Sequence, residues 1–272
     1  MKTLIGIVAL LVPLAFAQGG QGGPPRSVST SEFRQAFRDA GIVPDVIGAF
    51  NPTVPFYAGY STSGGNKTLM IPGVRLKMKE TKYPFEFSVE NLGNARNITR
   101  NSRFIIFMIG PDVPTRENPT DRNVRHFLAG NFTVEQTKSE VLSSAIQLKN
   151  ASAAFNEYSA PEPKTGSGVH RYVYLLFVQP EKLNKMGFEM FGVDKMNRKN
   201  FNLSAFRRQA GLGRPIGGTF FTLDTDKTES GGNGNGGGKG NPGGNGGSAA
   251  SIATAGSVVL FVTLLATMVV WM

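Results

Sequence analysis

The 272-residue chain contains no cysteine, only two histidines and a single tryptophan. Without cysteine the chain has no disulfide, no thiolate ligand for a metal ion and no cysteine nucleophile. Two histidines make a structural zinc site unexpected, so we predict neither a metal nor a cofactor. A domain without cross-links must be stabilised by its apolar core, which roughly 200 residues can supply.

The first 17 residues have the features of a secretory signal peptide. Lys2 precedes an apolar run from Leu4 to Phe16, and the small residues Ala15 and Ala17 mark a cleavage site. A transmembrane anchor is the weaker alternative because the apolar run is short. We therefore expect an exported protein, in which residues 18–28 form an N-terminal extension.

The C-terminal end is typical of a glycosylphosphatidylinositol (GPI) attachment signal. Residues 258–272 are apolar, no basic residue follows them, and small residues precede them. This run of about 15 residues is shorter than the ~20 of a spanning helix, which disfavours a tail-anchored transmembrane protein. We predict attachment at Asn245, a flexible Gly- and Asn-rich tether over residues 227–247, and removal of residues 248–272. The alternative attachment residues are Gly246, Gly247 and Ser248.

Five Asn-x-Ser/Thr sequons indicate a glycoprotein, because the chain is expected to enter the secretory pathway. They lie at Asn66, Asn97, Asn131, Asn150 and Asn202. We predict all five as glycosylation sites; the alternative is that some of them arise by chance and carry no glycan.

The formal net charge of +10 at pH 7 points to anionic partners. Nucleic acid, anionic lipid and acidic polysaccharide all meet that description. Nucleic acid is disfavoured because the basic residues form no concentrated patch interleaved with aromatic residues, and because the protein is expected to be exported.

Apolar periodicity predicts many strands and few helices. A capping-box pattern at Ser29 and Glu32 starts a helix over residues 29–41, a second helix is predicted over residues 202–211, and a helix or turn follows Pro180. Strands are predicted at residues 54–60, 84–89, 104–109, 126–132, 171–179 and 215–223. The alternating pattern of residues 84–89 is typical of a half-buried strand. Since no βαβ unit repeats, we predict a mostly β, largely antiparallel domain over residues 29–226, with peripheral helices.

Both histidines lie where a polar segment joins a buried strand. His126 follows the loop that begins at Gly110, and His170 follows the tripeptide at residues 166–168, Gly-Ser-Gly. Imidazole donors beside glycines, whose backbone N–H groups can approach a ligand closely, favour a site for an anion such as a phosphate monoester. A carboxylate such as Asp112 would orient a histidine. Either histidine alone is more often a satisfied core residue.

A Ser-His-Asp hydrolase is a weaker alternative. Its members would be Ser167, His170 and Asp112. Ser167 lies in the sequence Thr-Gly-Ser-Gly-Val, which lacks the G-x-S-x-G elbow of such nucleophiles. We therefore expect no enzymatic activity.

Two motifs resemble the signatures of the phosphatidylethanolamine-binding protein family. Residues 110–114, Gly-Pro-Asp-Val-Pro, followed by Arg-His-Phe-Leu at residues 125–128, are similar to D-P-D-A-P…H-H-F. Residues 166–173, Gly-Ser-Gly-Val-His-Arg-Tyr-Val, resemble G-x-G-x-H-R-Y. The resemblance covers residues 29–226. It implies a large antiparallel sheet packed on a smaller one, with peripheral helices and a small anion pocket at one end. The matching pocket residues are Asp112, Pro114, His126, Gly168, His170 and Tyr172.

Three positions depart from the family pattern. Gly110 stands where an aspartate is usual, Val124 where an aromatic residue walls the pocket, and Phe221 where a tyrosine hydroxyl is common. The hypothesis that follows is a less acidic and more open pocket with a changed ligand preference.

The expected function is non-catalytic binding of an anionic, phosphorylated headgroup, such as that of phosphatidylethanolamine, by a GPI-anchored cell-surface domain. His126 and His170 would donate hydrogen bonds, and binding would tighten below pH ~6.5 as imidazoles become charged. The alternative is a surface inhibitor or wall component with a vestigial pocket, because the resemblance also implies protease or kinase-type partners.

Overall fold

Nine β-strands, numbered in chain order, form one continuous sheet in the part of the chain that this computed structural model describes, residues 26–95, 98–99 and 101–226. The strands are β1 (Phe56–Ser61), β2 (Lys67–Leu69), β3 (Val74–Arg75), β4 (Glu86–Val89), β5 (Phe104–Gly110), β6 (Val124–Lys138), β7 (Ile146–Asn150), β8 (Val169–Val178) and β9 (Gly217–Asp224). Their order across the sheet is β2-β1-β4-β7-β6-β5-β8-β9-β3. Neighbouring strands are antiparallel, except that β3 and β9 are parallel.

The sheet is curled, so that strands far apart in this order face each other. Tyr60 on β1 and Tyr174 on β8 have their hydroxyl oxygens 2.5 Å apart, and the ring of Tyr60 packs edge-on against Phe221 on β9. The two sheets implied by the resemblance are therefore two halves of one curled sheet. The mostly β fold with peripheral helices is confirmed.

Four short α-helices lie in the described ranges: α1 (Thr30–Asp39), α2 (Ile42–Asp45), α3 (Glu181–Met186) and α4 (Leu203–Ala210). The predicted capping box starts α1, because Ser29 Oγ accepts from the Glu32 amide while the Glu32 carboxylate accepts from the Ser29 amide. The side chain of Asn202 caps α4 by accepting from the amide of Ala205 at 2.9 Å. Both predicted helix starts are confirmed.

Two apolar cores lie on the two faces of the sheet. The outer core packs Phe107 and Phe177 against the helices, and the inner core, enclosed by the curl, contains Met108, Tyr174 and Phe221. Successive side chains of a strand point to opposite faces, so β5 and β8 contribute to both cores. Their nearly continuous apolar runs follow from this burial on both sides.

The half-buried pattern predicted for residues 84–89 is wrong. Glu86 and Ser88 are both buried, although their side chains alternate with apolar ones. The Glu86 carboxylate accepts from the hydroxyl of Ser139 at 2.5 Å and from the amide of Glu140 at 3.0 Å. Hydrogen bonds from a neighbouring turn therefore replace water around this carboxylate.

The described residues all belong to one compact unit, and residues 231–272 lie outside the described ranges. The predicted signal peptide, the tether, the GPI signal with Asn245 and the sequon at Asn97 also lie outside them. Within the described ranges, no helix is long and apolar enough to cross a bilayer.

Candidate functional site

Gly110, His126 and Tyr172 meet on three adjacent strands. The pairing of β5 with β6 shifts between Met108 and Ile109, which makes His126 the extra residue of a bulge and re-aims its side chain. A Cβ placed on Gly110 would lie 3.0 Å from His126 Nε2 and 3.5 Å from Tyr172 Cε1. The two rings meet edge to face with centroids 5.2 Å apart. The missing side chain at position 110 therefore allows these two polar rings to approach each other.

His126 presents an acceptor rather than a donor. Its Nδ1 lies 3.0 Å from the carbonyl oxygen of Ser159, which can only accept, so the proton of the neutral ring is on Nδ1. Burial lowers the pKa of His126; the hydrogen bond to Ser159 opposes this change, and the charge of Arg198 adds to it. Nε2 has no hydrogen-bond partner among the described residues. The expectation of a donor at neutral pH is corrected, because Nε2 can donate only after the ring takes up a proton.

The Tyr172 hydroxyl is the second polar group at this point. Burial raises the pKa of Tyr172 far above its usual range, and the charges of Asp112 and Tyr158 add to the increase. The hydroxyl therefore stays protonated and can donate, and it has no protein partner in the described part of the chain. The ring stacks on Phe221 with centroids 5.2 Å apart, so the departure at position 221 contributes an apolar wall without a hydroxyl.

His170 is buried and bonded to its neighbour Ser167. Its Nε2 lies 2.7 Å from Ser167 Oγ, and the same hydroxyl is hydrogen-bonded to the carbonyl of Lys164. Because a hydroxyl has one proton and the carbonyl can only accept, His170 donates to Ser167. His170 therefore does not act as a base toward Ser167, and Asp112 is bonded elsewhere. These three residues do not form the relay of a hydrolase.

The backbone amides of the glycine turn before β8 are hydrogen-bonded to the two residues that follow β9. The amide of Gly166 donates to the carbonyl of Thr225 at 3.3 Å, that of Ser167 to Thr225 Oγ1 at 3.0 Å, and that of Gly168 to an Asp226 oxygen at 3.2 Å. The expectation that Gly166 and Gly168 free their amides for a ligand is therefore wrong. Their φ angles of 75° and 82° serve the turn itself.

Asp112 orients an arginine instead of a histidine. Its carboxylate accepts from the Arg171 backbone amide at 2.8 Å, from Nε at 2.9 Å and from Nη2 at 2.6 Å. Arg171 also pairs with Asp45 at 2.9 Å and donates to the carbonyl of Ala40 at 2.8 Å. The pair is almost completely buried, so it ties the loop after β5 to β8 and to the end of α1. The predicted orienting role is corrected accordingly.

Val124 pairs with Gly110 across β5 and β6, and Pro114 lies in the loop that follows β5. Pro114 is exposed and follows a cis peptide bond, and Val124 is partly buried where β6 begins. Five residues that contact the site residues were not predicted from the sequence, because they act through backbone carbonyls or come from distant loops. They are Ser159, Tyr158, Arg198, Thr225 and Asp226.

A chain of tyrosine hydroxyls connects the inner core to the site. Tyr158 donates to the carbonyl of Thr81 at 2.6 Å, so Tyr60 must donate to Tyr158 at 3.0 Å and Tyr174 to Tyr60. The Tyr83 ring packs edge-on against Tyr158, with centroids 5.5 Å apart. Residues 81–83 thus contact the residue that precedes Ser159, the partner of His126.

The asparagines of the sequons in the described ranges differ in exposure and in the hydrogen bonds of their side chains. Asn66 and Asn202 are exposed, and Asn150 is partly buried. The Asn131 side chain is engaged: its Nδ2 donates to Ser152 at 3.0 Å, and its Oδ1 accepts from Arg103 and Gln179.

Residues 60–221 match the model of the phosphatidylethanolamine-binding protein family. A putative odorant-binding protein A5 of Drosophila melanogaster is 30% identical over 134 residues, which cover 48% of this chain and 57% of the relative. A 26 kDa secreted antigen of Toxocara canis is 27% identical over 121 residues, which cover 44% of this chain and 42% of the relative. The chain thus spans about half the length of these relatives.

Two solved structures share the fold at 21% identity. One, titled as a carboxypeptidase Y inhibitor complexed with the cognate proteinase, has a TM-score of 0.59 and covers 72% of this chain and 97% of the matched chain. The other, a phosphatidylethanolamine-binding protein from Plasmodium vivax, has a TM-score of 0.51 and covers 75% of this chain and 100% of the matched chain. Since the family match extends over more than half of its residues, the chain belongs to the phosphatidylethanolamine-binding protein family.

Proposed function

We propose that the protein is a secreted domain that binds an anionic, phosphorylated headgroup, such as that of a phosphatidylethanolamine-like lipid, without catalysis. One observation carries the proposal: His126 Nε2 and the ring of Tyr172 lie next to Gly110, and neither Nε2 nor the Tyr172 hydroxyl has a hydrogen-bond partner among the described residues. Neither atom is among the fully buried unpartnered polar atoms of the described residues, so both keep contact with the solvent and are accessible to a ligand. The family resemblance adds Asp112, Pro114, Gly168 and His170 to the proposed ligand-binding residues. Asp112, the Gly168 amide and His170 are bonded to other residues of the protein.

Ligand binding in this proposal is linked to a proton. Tyr172 can donate at once, whereas neutral His126 can only accept. A phosphate is therefore bound either by the imidazolium or by a neutral imidazole that accepts from a singly protonated phosphate, whose second pKa is about 6. Affinity increases in acid by either route. Because the pKa of His126 is lowered, we expect the increase to continue below pH ~6.5 rather than end there.

The proposal places the domain outside the cell. We infer a signal peptide over residues 1–17, a GPI anchor at Asn245 after a tether over residues 227–247, and glycans on sequons. The relative named as a secreted antigen supports export. Release of the protein from cells by phosphatidylinositol-specific phospholipase C would support the anchor, and retention after treatment would contradict it.

Calorimetric titration tests the pocket. Phosphoethanolamine, inorganic phosphate and phosphocholine are titrated into the wild-type protein, a His126→Ala/Tyr172→Phe variant and a Tyr83→Phe control, between about pH 5 and pH 8. The control also loses a tyrosine hydroxyl, but outside the pocket. We expect saturable binding that is stronger in acid, lost in the double variant and kept in the control. Heats that are absent for all three ligands would overturn the proposal.

A surface inhibitor is the second candidate. The solved structure titled as a carboxypeptidase Y inhibitor shares the fold over 97% of its matched chain, which favours a protease partner among the alternatives. If the His126→Ala/Tyr172→Phe variant still inhibits a carboxypeptidase, the protease is bound by another surface of the domain, without the candidate site.

A further inference from the structure

We propose that residues 77–83, the rim segment, dock the domain onto an anionic phospholipid bilayer. The proposal deepens the headgroup-binding function and rests on it, since it names a membrane as the source of the ligand. The rim segment has the sequence Lys-Met-Lys-Glu-Thr-Lys-Tyr and contains three lysines and one glutamate.

The rim segment lies at the same end of the sheet as the candidate site. Before it, Arg75 pairs with Thr222 on β9, and the amide of Leu76 donates to the carbonyl of Thr222 at 3.0 Å. After it, the amide of Phe85 donates to the carbonyl of Gly59 on β1 at 2.9 Å. The segment therefore passes from the β9 edge to β1, across the end where β9 meets the first residues of β8.

Contacts inside the protein hold the rim segment beside the candidate site. The carbonyl of Thr81 accepts from Tyr158, and the Tyr83 ring packs against the Tyr158 ring. Ser159, the next residue, binds Nδ1 of His126. A surface that engages the rim segment would thus face the residues that hold His126.

Two large side chains of the rim segment are turned outward. Tyr83 is 65% exposed and Met78 is 44% exposed, although side chains of this kind are usually covered. Met78 is the first residue of a 3₁₀ turn over residues 78–80, and Tyr83 follows this turn. Tyrosine is favoured at membrane interfaces, where its ring is in an apolar region and its hydroxyl is hydrated.

The charges of the rim segment complement an anionic surface. Lys77 and Lys82 are exposed, and Lys82 has no ion-pair partner among the described residues. Glu80, the one carboxylate of the rim segment, accepts from the amide and hydroxyl of Ser63 at 2.8 and 2.6 Å and from the amide of Lys77 at 2.9 Å. The charge of Lys77 also helps to lower the pKa of Glu80, so this carboxylate offsets part of the positive charge of the segment. Lysines beside exposed aromatic and apolar residues are the pattern of segments that lie on anionic lipid. A protein partner is the competing occupant, and vesicle binding by variants of the rim segment distinguishes it from a membrane.

The test measures binding to vesicles of phosphatidylcholine alone and of phosphatidylcholine mixed with phosphatidylserine. Residues 18–230 are used, because the described residues belong to one compact unit and the proposed anchor region would otherwise bind lipid. The rim variants are Lys77→Gln/Lys82→Gln and Met78→Ser/Tyr83→Ser. Met190→Ser/Met196→Ser is the matched control, since these side chains are 64% and 89% exposed, more than Met78.

We expect salt-sensitive binding to the anionic vesicles only. The double lysine variant should weaken it about 30-fold, because each lysine near an anionic surface contributes about fivefold. The Met78→Ser/Tyr83→Ser variant should weaken it at least about tenfold. The control should bind like the wild type. All rim variants should keep the calorimetric binding of soluble phosphoethanolamine.

Three outcomes would overturn the proposal. A control variant that loses as much binding as the rim variants would indicate non-specific adsorption. If the wild-type protein binds phosphoethanolamine but no vesicle, the headgroup-binding proposal is supported and the membrane-docking proposal is contradicted. Rim variants that keep vesicle binding but lose carboxypeptidase inhibition would identify a protein as the occupant.

Discussion

A side chain on Gly110 would press against His126, since an ideal Cβ lies 3.0 Å from Nε2 and 3.2 Å from Cδ2 of that ring. The glycine therefore does not leave an empty space next to its backbone, as the hypothesis of a more open pocket would suggest. The imidazole of His126 and the ring of Tyr172 occupy the space that a family aspartate would enter.

Replacement of Gly110 by aspartate should raise the pKa of His126. A carboxylate beside the imidazole favours the imidazolium. The same charge should weaken phosphate binding by repulsion. Proton NMR titration of His126 measures the pKa, and Gly110→Asn is the control of equal size without charge. Equal pKa values in the two variants would show that the carboxylate does not reach the ring.

The buried pair of Asp112 and Arg171 should behave as a coupled unit. Arg171→Met leaves the Asp112 carboxylate buried without its partner and should lower the free energy of unfolding by about 3–5 kcal/mol. Asp112→Asn should cost less, because Arg171 keeps Asp45 at 2.9 Å. In urea unfolding, the double variant should lose clearly less than the sum of the single losses. Additive losses would contradict the coupling.

The direction of the tyrosine chain predicts an asymmetry. Tyr60→Phe leaves the buried Tyr174 hydroxyl without an acceptor, which should cost about 1–3 kcal/mol. Tyr174→Phe removes only a donor to Tyr60 and should cost about 0.5–1.5 kcal/mol. Unfolding experiments on the two variants measure the difference. A larger loss for Tyr174→Phe would mean that the chain runs in the opposite direction.

Glu90 should make stability depend on pH in the acid range. Burial raises its pKa, but hydrogen bonds from Ser144, Ser27 and Tyr57 outweigh burial and lower it overall. A lowered pKa in the folded state means stability that is present above the unfolded pKa of about 4.3 and is lost as the pH falls through the folded value. Glu90→Gln should therefore be less stable than the wild type at pH 7, by about 1–3 kcal/mol. Thermal unfolding across this range should show the difference narrowing in acid, and a constant difference would exclude Glu90 as its origin.

The sequons should not be equally occupied. We predict glycans on Asn66 and Asn202, which are exposed, and none on Asn131, because a glycan on its Nδ2 would disrupt the contact with Ser152. In Asn202 the cap of α4 uses Oδ1 and leaves Nδ2 available. Glycopeptide mass spectrometry of the secreted protein measures the occupancy. A fully glycosylated Asn131 would contradict the prediction.

Short-range patterns predicted much of this fold. The cap of α1 depends on Ser29 and Glu32, three residues apart, and the strands depend on apolar runs that the chain itself displays. The burial of Glu86 was missed because its donors come from a turn more than 50 residues away. Alternation along a strand reports which face a side chain points to, but it does not report what covers that face.

Local patterns along the chain are enough to specify the class of the fold, the helix caps and the two motifs that bring both histidines to one end of the sheet. The role of each polar group at that end depends on contacts between distant segments. The proton of His126 is placed by Ser159, 33 residues away, Asp112 is bound by Arg171, 59 residues away, and Gly168 is bound by Asp226, 58 residues away. A hydrogen bond depends on the position and direction of its partner, and partners this far along the chain meet only after the sheet has curled.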